Sequence, residues 1–172
     1  MKRLLHVAAI VALAAMLWPE LPRYRAEWTL ADADARLSAA LEGTLKGSAA
    51  VSATTDALGM AREAIAALPG DPRPVQSASV ALLLLQRGDE AVALLEPAVA
   101  AGERPELTIN LGRARGIRGD EKGADAAFLH TAWANPMSIA TLPKAMRGPL
   151  LDRVAELERQ LREGQLRQPP AL

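Results

Sequence analysis

Apolar residues recur every three to four positions along most of this chain, which is the spacing of one face of an α-helix. Residues 30–45 follow a period close to four, and Thr29 before them is a suitable N-cap. Residues 46–54, rich in Gly, Ser and Ala, predict a loop, and Asp56 predicts the start of a second helix. Because the β-branched and aromatic residues that favour strands are sparse, the pattern predicts an all-α protein.

Four helical stretches of similar length follow, with Pro near their starts or Gly just past their ends. Gly-Asp pairs that begin at Gly88 and Gly119 are 31 residues apart. The same spacing separates Pro74, Pro105 and Pro136. A fixed period of two helices per unit predicts a short α-solenoid of antiparallel helix pairs. The predicted stretches are residues 74–87, 89–101, 105–118 and 120–134.

One repeat unit carries a specific set of residues. They are a Leu-Gly pair, a Gly turn between helices, a small residue, an aromatic residue and a closing Pro, which stand at Leu111, Gly112, Gly119, Ala124, Phe128 and Pro136. This set resembles the tetratricopeptide repeat (TPR) family, and the resemblance covers about residues 56–136. The chain departs from the family at Ser77 and Thr108, where an early Trp is usual, and at Arg115, where Tyr is usual. Its period is also shorter than the family's, which is about 34 residues.

The resemblance implies that the first helix of each unit lines a concave surface. Such a surface would be mainly apolar and would suit an amphipathic helix or an extended segment of a partner protein. The alternative is that the N-terminal helix or residues 137–147 cover this groove internally. The implied candidate partner-groove residues are Val75, Ala78, Leu82, Leu85, Glu106, Ile109 and Arg113.

The N-terminus combines a basic start, Lys2 and Arg3, with an apolar run over residues 4–18 that only His6 interrupts. As a helix the run is about 22 Å long, short of a hydrocarbon core of roughly 30 Å, so its length favours a cleaved export signal. Against cleavage, the one good small-residue site, at Ala12–Ala14, leaves too short an apolar region before it.

Three of the five aromatic residues lie at the end of this run or within ten residues after it, interleaved with arginines. Trp and Tyr prefer the headgroup layer of a membrane, and Arg side chains reach into it. We therefore favour a single-pass anchor in a bacterial inner membrane, with the repeats in the periplasm, and keep the cleaved signal as the alternative. The candidate membrane-interface residues are Trp18, Tyr24, Trp28, Arg23 and Arg25.

The last predicted helix begins at Pro149 and carries one apolar stripe from Leu150 to Leu161 on an otherwise charged surface. A narrow stripe suits the terminal cap of a solenoid, and a homodimer through residues 150–161 is the alternative. The predicted organisation is an anchor (1–28), a repeat domain (29–136), capping helices (137–164) and a disordered tail (165–172).

Candidate chemistry is sparse. Lys plus Arg and Asp plus Glu both number 20, so no basic excess predicts binding to nucleic acid. There is no Cys, and His6 and His130 are the only histidines, which leaves too few ligands for a convergent metal site. The sequence predicts no catalytic, cofactor-binding or metal-binding residue, and hence no enzyme.

These features together predict a membrane-tethered scaffold or adaptor that binds partner proteins in a bacterial cell-envelope assembly or export system. One alternative is an accessory, non-catalytic subunit of a membrane enzyme complex, such as one for polysaccharide synthesis or export. Another is a cleaved, soluble periplasmic binder that resembles a chaperone.

Overall fold

The computed structural model describes His6, Met16 and residues 18–166, and every regular element in that part of the chain is a helix. The prediction of an all-α fold is therefore confirmed for the described residues. The α-helices are α1 (Leu21–Leu41), α2 (Gly47–Ala67), α3 (Pro72–Leu84), α4 (Gly88–Ala101), α5 (Pro105–Ile117), α6 (Glu121–Ala134) and α7 (Lys144–Arg162), with 3-10 helices at Trp18–Glu20 and Pro136–Thr141.

The chain divides into two compact units, Met1–Ser77 and Ala78–Leu172. The division falls inside α3 and inside the predicted repeat domain, residues 29–136. In the first unit α1 packs along α2 as a hairpin. Ala33, Ala57 and Ala61 are fully buried, and their small side chains let the two helices approach closely.

The predicted start of the first helix at Thr29 is wrong, because α1 begins at Leu21. Pro22 lies in the first turn, where its missing N–H costs nothing. Thr29 is inside the helix, and its hydroxyl donates to the carbonyl oxygen of Arg25 at 2.9 Å instead of capping an end. The aromatic and Arg residues after the apolar run are thus mostly helical.

The predicted loop at residues 46–54 is also wrong, because α2 begins at Gly47 and Asp56 lies within it. The hydroxyl of Thr54 donates to the carbonyl oxygen of Ala50 at 2.7 Å, which is one turn earlier in the same helix. Small and hydroxyl-bearing residues therefore continue the helix here, since one face of it is buried against α1.

The first turns of α3, which belong to the first unit, are tied to α1 by two polar contacts. Arg73 donates to Glu27 at 2.7 Å, and the hydroxyl of Ser77 donates to Asp34 at 2.5 Å. Glu27 and Asp34, two of the three carboxylates of α1, thus each accept a hydrogen bond from α3.

In the second unit, α4, α5 and α6 pack consecutively, and their bounds lie within one residue of those predicted. Asp120 caps α6, since its carboxylate accepts from the backbone N–H of Gly123 at 3.0 Å. This hydrogen bond, together with the guanidinium of Arg118, holds the pKa of Asp120 below its ordinary value. Gly119, immediately before the cap, has φ +84°, a conformation that favours glycine.

The two Gly-Asp turns of the 31-residue period are not equivalent in structure. In the first turn the positive φ belongs to Gln86 (φ 58°), and Gly88 serves a different purpose. A Cβ atom on Gly88 would lie 2.9 Å from Cγ2 of Ile117 and 3.0 Å from the backbone N of Arg118. Gly88 therefore lets Ile117 and Arg118, at the end of α5, approach its backbone closely, whereas Gly119 allows a left-handed backbone conformation.

The last helix, α7, begins at Lys144 and not at the predicted Pro149, which lies inside it. Arg147 in its first turn donates from Nε to the carbonyl oxygen of Leu142 at 2.7 Å. Its apolar face completes the core of this unit, which explains why the helix continues through a proline. The core residues are Ile109, Ala124, Phe128, Leu129, Ala132, Ile139, Leu142, Leu150 and Val154.

Candidate interaction surfaces

The predicted partner groove is largely inaccessible in the structure. Ala78, Leu82 and Ile109 are buried, whereas Val75, Leu85 and Arg113 are half-buried. Glu106 alone among the predicted groove residues is exposed. Most of these side chains are therefore not available to a partner.

At the Ile109 end the groove is filled by the chain itself. Ile109 on α5 shares a core with Ile139 and Leu142, which belong to the 3-10 helix and the residue after it. Arg113 donates from Nη2 to Oγ1 of Thr141 at 2.7 Å, so the 3-10 helix is also held by a polar contact. This arrangement is the one expected if residues 137–147 cover the groove internally.

A polar ladder of four side chains, Ser79, Asn110, Arg113 and Thr141, runs through the second unit. Asn110 donates from Nδ2 to Oγ of Ser79 at 3.0 Å and accepts from Nη1 of Arg113 at 2.8 Å. Arg113 continues the ladder to Thr141 through its Nη2. Asn110 stands 31 residues after Ser79 and 31 residues before Thr141, and it bonds to Ser79 directly and to Thr141 through Arg113.

The ladder leaves a guanidinium in partly apolar surroundings. Burial lowers the pKa of Arg113 from its ordinary value. Arg nevertheless remains protonated in proteins, so the charge is kept, and its acceptors here are neutral groups. The acceptors are Oδ1 of Asn110 and both the hydroxyl and the carbonyl oxygen of Thr141.

Asn110→Leu is expected to destabilise the protein by about 2 kcal/mol, because it removes one acceptor of Arg113 and a donor to Ser79 from a buried site. The free energy of unfolding in urea measures this loss. Thr108→Val is the control, since the buried hydroxyl of Thr108 donates at 3.1 Å to the carbonyl oxygen of Arg104 near the start of its own helix. Equal effects of the two substitutions would contradict a role for the ladder.

Arg115, which stands where the TPR family usually has Tyr, also joins neighbouring helices. Its Nη2 contacts Glu96 of α4 at 3.2 Å, and its Nη1 donates to the carbonyl oxygen of Gly123 on α6 at 3.3 Å. The side chain is mostly buried between them. The side chain of Arg115 thus connects α4, α5 and α6.

Gly112 and Phe128, two residues on which the family resemblance rests, meet in the structure. A Cβ atom on Gly112 of α5 would lie 2.5 Å from Cε1 and 2.7 Å from Cδ1 of Phe128 on α6. The phenyl ring therefore occupies the space that a side chain at Gly112 would take. This contact sets the close packing of the α5–α6 hairpin.

The predicted membrane-interface residues lie at the start of α1 and are exposed. Trp18 is 73%, Tyr24 59% and Trp28 79% accessible, and Arg23 and Arg25 are exposed between them. Trp18 also borders a cleft of about 430 Å³ between the start of α1 and the end of α2.

The anchor itself was predicted at residues 4–18, which lie outside the described residues apart from His6, Met16 and Trp18. Among the residues that the structure does describe, no helix is both long enough and apolar enough to cross a membrane. The predicted tail, residues 165–172, is described only at Gln165 and Leu166.

The stripe predicted for capping or dimerisation is partly used inside the second unit. Leu150 and Val154 are buried in its core, and Leu157 packs against that core. Leu161 at the far end of the stripe remains exposed.

His130 pairs through Nε2 with the carboxylate of Glu103, which lies in the connection between α4 and α5. This contact could not be predicted from the sequence, because the two residues are 27 positions apart. Over the part of the chain that the structure describes, no group of three or more His, Asp or Glu side chains is placed to hold a metal ion.

Comparison with known proteins finds no matching family model, no matching curated protein and no matching solved structure. The structural observations above therefore carry the functional interpretation.

Proposed function

We propose that this chain is a membrane-tethered, TPR-like scaffold that holds partner proteins in a bacterial cell-envelope assembly or export system. The observation that carries the proposal is the polar ladder, in which Ser79, Asn110 and Thr141, spaced 31 residues apart, are connected with the help of Arg113. Helix pairs that are connected in this way support a stacked repeat. Stacked repeats present extended surfaces that bind other proteins.

The tether rests on the sequence. The apolar run over residues 4–18 precedes an exposed aromatic and Arg segment, which is typical of a membrane boundary. We place the anchor in the inner membrane and the repeats in the periplasm. A tether raises the local concentration of the repeats near membrane partners and requires no chemistry of its own.

Glu106 is the best candidate for a contact with a partner. It is exposed in the first turn of α5. Leu85, a half-buried apolar residue of the same compact unit, Ala78–Leu172, also belongs to the predicted groove. The proposal therefore assigns partner binding to the accessible margin of the predicted groove and not to its buried centre.

Cross-linking of the full chain in native membranes, followed by affinity capture, tests this function. We expect Glu106→Arg to lower the yield of captured partner severalfold, because charge complementarity at an interface is reversed. Glu121→Arg is a matched control, since Glu121 is the exposed acidic residue in the first turn of the next helix, α6. Both variants lose a similar interaction with a helix N-terminus, so their stabilities should agree.

Three results would contradict the proposal in different ways. Equal capture by both variants would remove Glu106 from the interface. A protein that starts after residue 14 and stays in the soluble fraction would remove the tether and favour the cleaved periplasmic binder. Stoichiometric recovery of one catalytic protein would favour the accessory-subunit alternative.

A further inference from the structure

The segment that covers the Ile109 end of the predicted groove is attached by few side chains. We call residues 136–142 the strap, which is the second 3-10 helix together with Leu142. Ile139 and Leu142 are each 2% exposed, whereas the other residues of the strap are exposed or half-buried. Two aliphatic side chains therefore provide the apolar attachment of the strap.

The polar attachment of the strap is equally limited. Arg113 on α5 donates to the hydroxyl of Thr141 at 2.7 Å and to its carbonyl oxygen at 3.3 Å. The backbone hydrogen bonds at the two ends of the strap each span three residues, as in any 3-10 helix. A segment with few buried side chains and mostly local hydrogen bonds opens at a lower free energy than the core beneath it.

The packing of α7 on α6 has contacts of its own. Leu150 and Val154 of α7 lie in the same core as Phe128 of α6. Arg153 of α7 also contacts Asp125 of α6 at 2.6 Å. These contacts hold the two helices together without the strap.

The strap shows which chemistry the Ile109 end of the groove accepts. It supplies two aliphatic side chains three positions apart, Ile139 and Leu142, which share a core with Ile109. Directly before the second of them it supplies the hydroxyl of Thr141, which accepts from Arg113. An apolar pair with a hydroxyl at this spacing is therefore a pattern that fits this site.

The site is continuous with the accessible margin of the groove. Glu106 lies three residues before Ile109 on α5, and residues at this spacing share one face of a helix. A partner segment that first contacts the exposed Glu106 would therefore reach the site of the strap along the same face.

We propose that the strap is an internal competitor of the partner protein. The partner segment carries two aliphatic residues three positions apart, with Ser or Thr directly before the second, and it binds when the strap opens. The inference rests on the proposed function, because it specifies the partner segment that the scaffold recognises. A closed strap lowers the apparent affinity for this segment in proportion to the fraction of molecules in which it is open.

Binding of a fluorescent peptide with the sequence of residues 135–143 tests the inference, measured by anisotropy with the full chain in lipid nanodiscs. Thr141→Val should raise the affinity by a factor of about five, because Arg113 loses one hydrogen bond to the strap. Met137→Ala is the matched control, since Met137 belongs to the strap but is 79% exposed. It should leave the affinity unchanged.

A second variant removes the apolar attachment. Ile139→Ala with Leu142→Ala should raise the affinity by a factor of about 30 or more, because the strap loses both of its buried side chains. Circular dichroism checks that this variant keeps its helicity. Thr141→Val keeps the test decisive if it does not, because the side chain of Thr141 is exposed.

The peptide has its own control. A peptide with Ala in place of the residues that correspond to Ile139 and Leu142 should bind at least about tenfold more weakly. Equal binding of the two peptides would overturn the inference, as would equal affinity of the wild type and Thr141→Val for the original peptide.

Affinity capture in membranes separates this inference from the proposed function. If Glu106→Arg lowers the yield of partner but Thr141→Val changes neither the yield nor the binding of the peptide, the strap is no competitor and the scaffold function stands. If binding of the peptide follows the strap variants but no partner is captured, the peptide site stands and the scaffold function is wrong.

Discussion

Leu82→Glu is expected to unfold the second unit instead of weakening the binding of a partner. Leu82 is 1% exposed, so the substitution loses a buried aliphatic side chain and places a carboxylate in its site. These two effects together cost roughly 5 kcal/mol or more. Since domains are stable by only about 5–15 kcal/mol, most of the stability is lost.

The measurement is thermal unfolding followed by circular dichroism, in which we expect the midpoint to fall by on the order of 15 °C. Leu84→Glu is the matched control, because Leu84 ends the same helix and is 39% exposed. That variant should melt close to the wild type. If Leu82→Glu also melts like the wild type, Leu82 faces an open groove and its burial is wrong.

Gly112→Leu is expected to destabilise the α5–α6 hairpin by about 3 kcal/mol or more, because overpacked cores shift backbone and side chains. The ring of Phe128 lies within 2.5 Å of the first side-chain atom that would be added. Chemical denaturation measures the cost. Gly116→Leu, one turn later in α5, is the control, since a Cβ atom there meets only Cβ of Ala124 at 3.9 Å.

A compensating pair tests whether the cause is this contact. Phe128→Ala opens space opposite Gly112, so Gly112→Leu should cost much less in that background than in the wild type. An unchanged cost would mean that the destabilisation of Gly112→Leu arises elsewhere.

The predicted bounds lie within one residue of the observed ones for α4, α5 and α6, whereas the predicted starts at Pro74 and Pro149 lie inside α3 and α7. Pro105 and Asp120 mark helix starts that lie within one residue of the prediction. In the first unit Pro22 lies in the first turn of α1 and Gly43 follows its end, but Thr29 resembles a cap although its hydroxyl bonds back within the helix. A Thr hydroxyl can cap the end of a helix or bond back to the preceding turn, and the local sequence does not show which. Burial of the opposite face of the helix decides between the two.

The sequence supplied candidate groove residues, and packing decides which of them are accessible. Gly112 and Phe128 stand out in the sequence, but their contact was not predicted from it. The burial of Ile109 was not predicted either, since it depends on the packing of Ile139 and Leu142 after the last repeat. The 31-residue spacing of Ser79, Asn110 and Thr141 is visible in the sequence. The hydrogen bonds that connect these residues depend on how the helices pack.

The polar ladder also bears on how a chain of this kind can change in length. Asn110 bonds directly to Ser79, one 31-residue period earlier, and reaches Thr141, one period later, through Arg113. A duplicated segment of one full period would bring its own amide to the next rung, whereas an insertion within a helix would rotate that amide by about 100° per added residue. Gene duplication in whole periods is therefore the growth step that this architecture tolerates, and small insertions are confined to the turns.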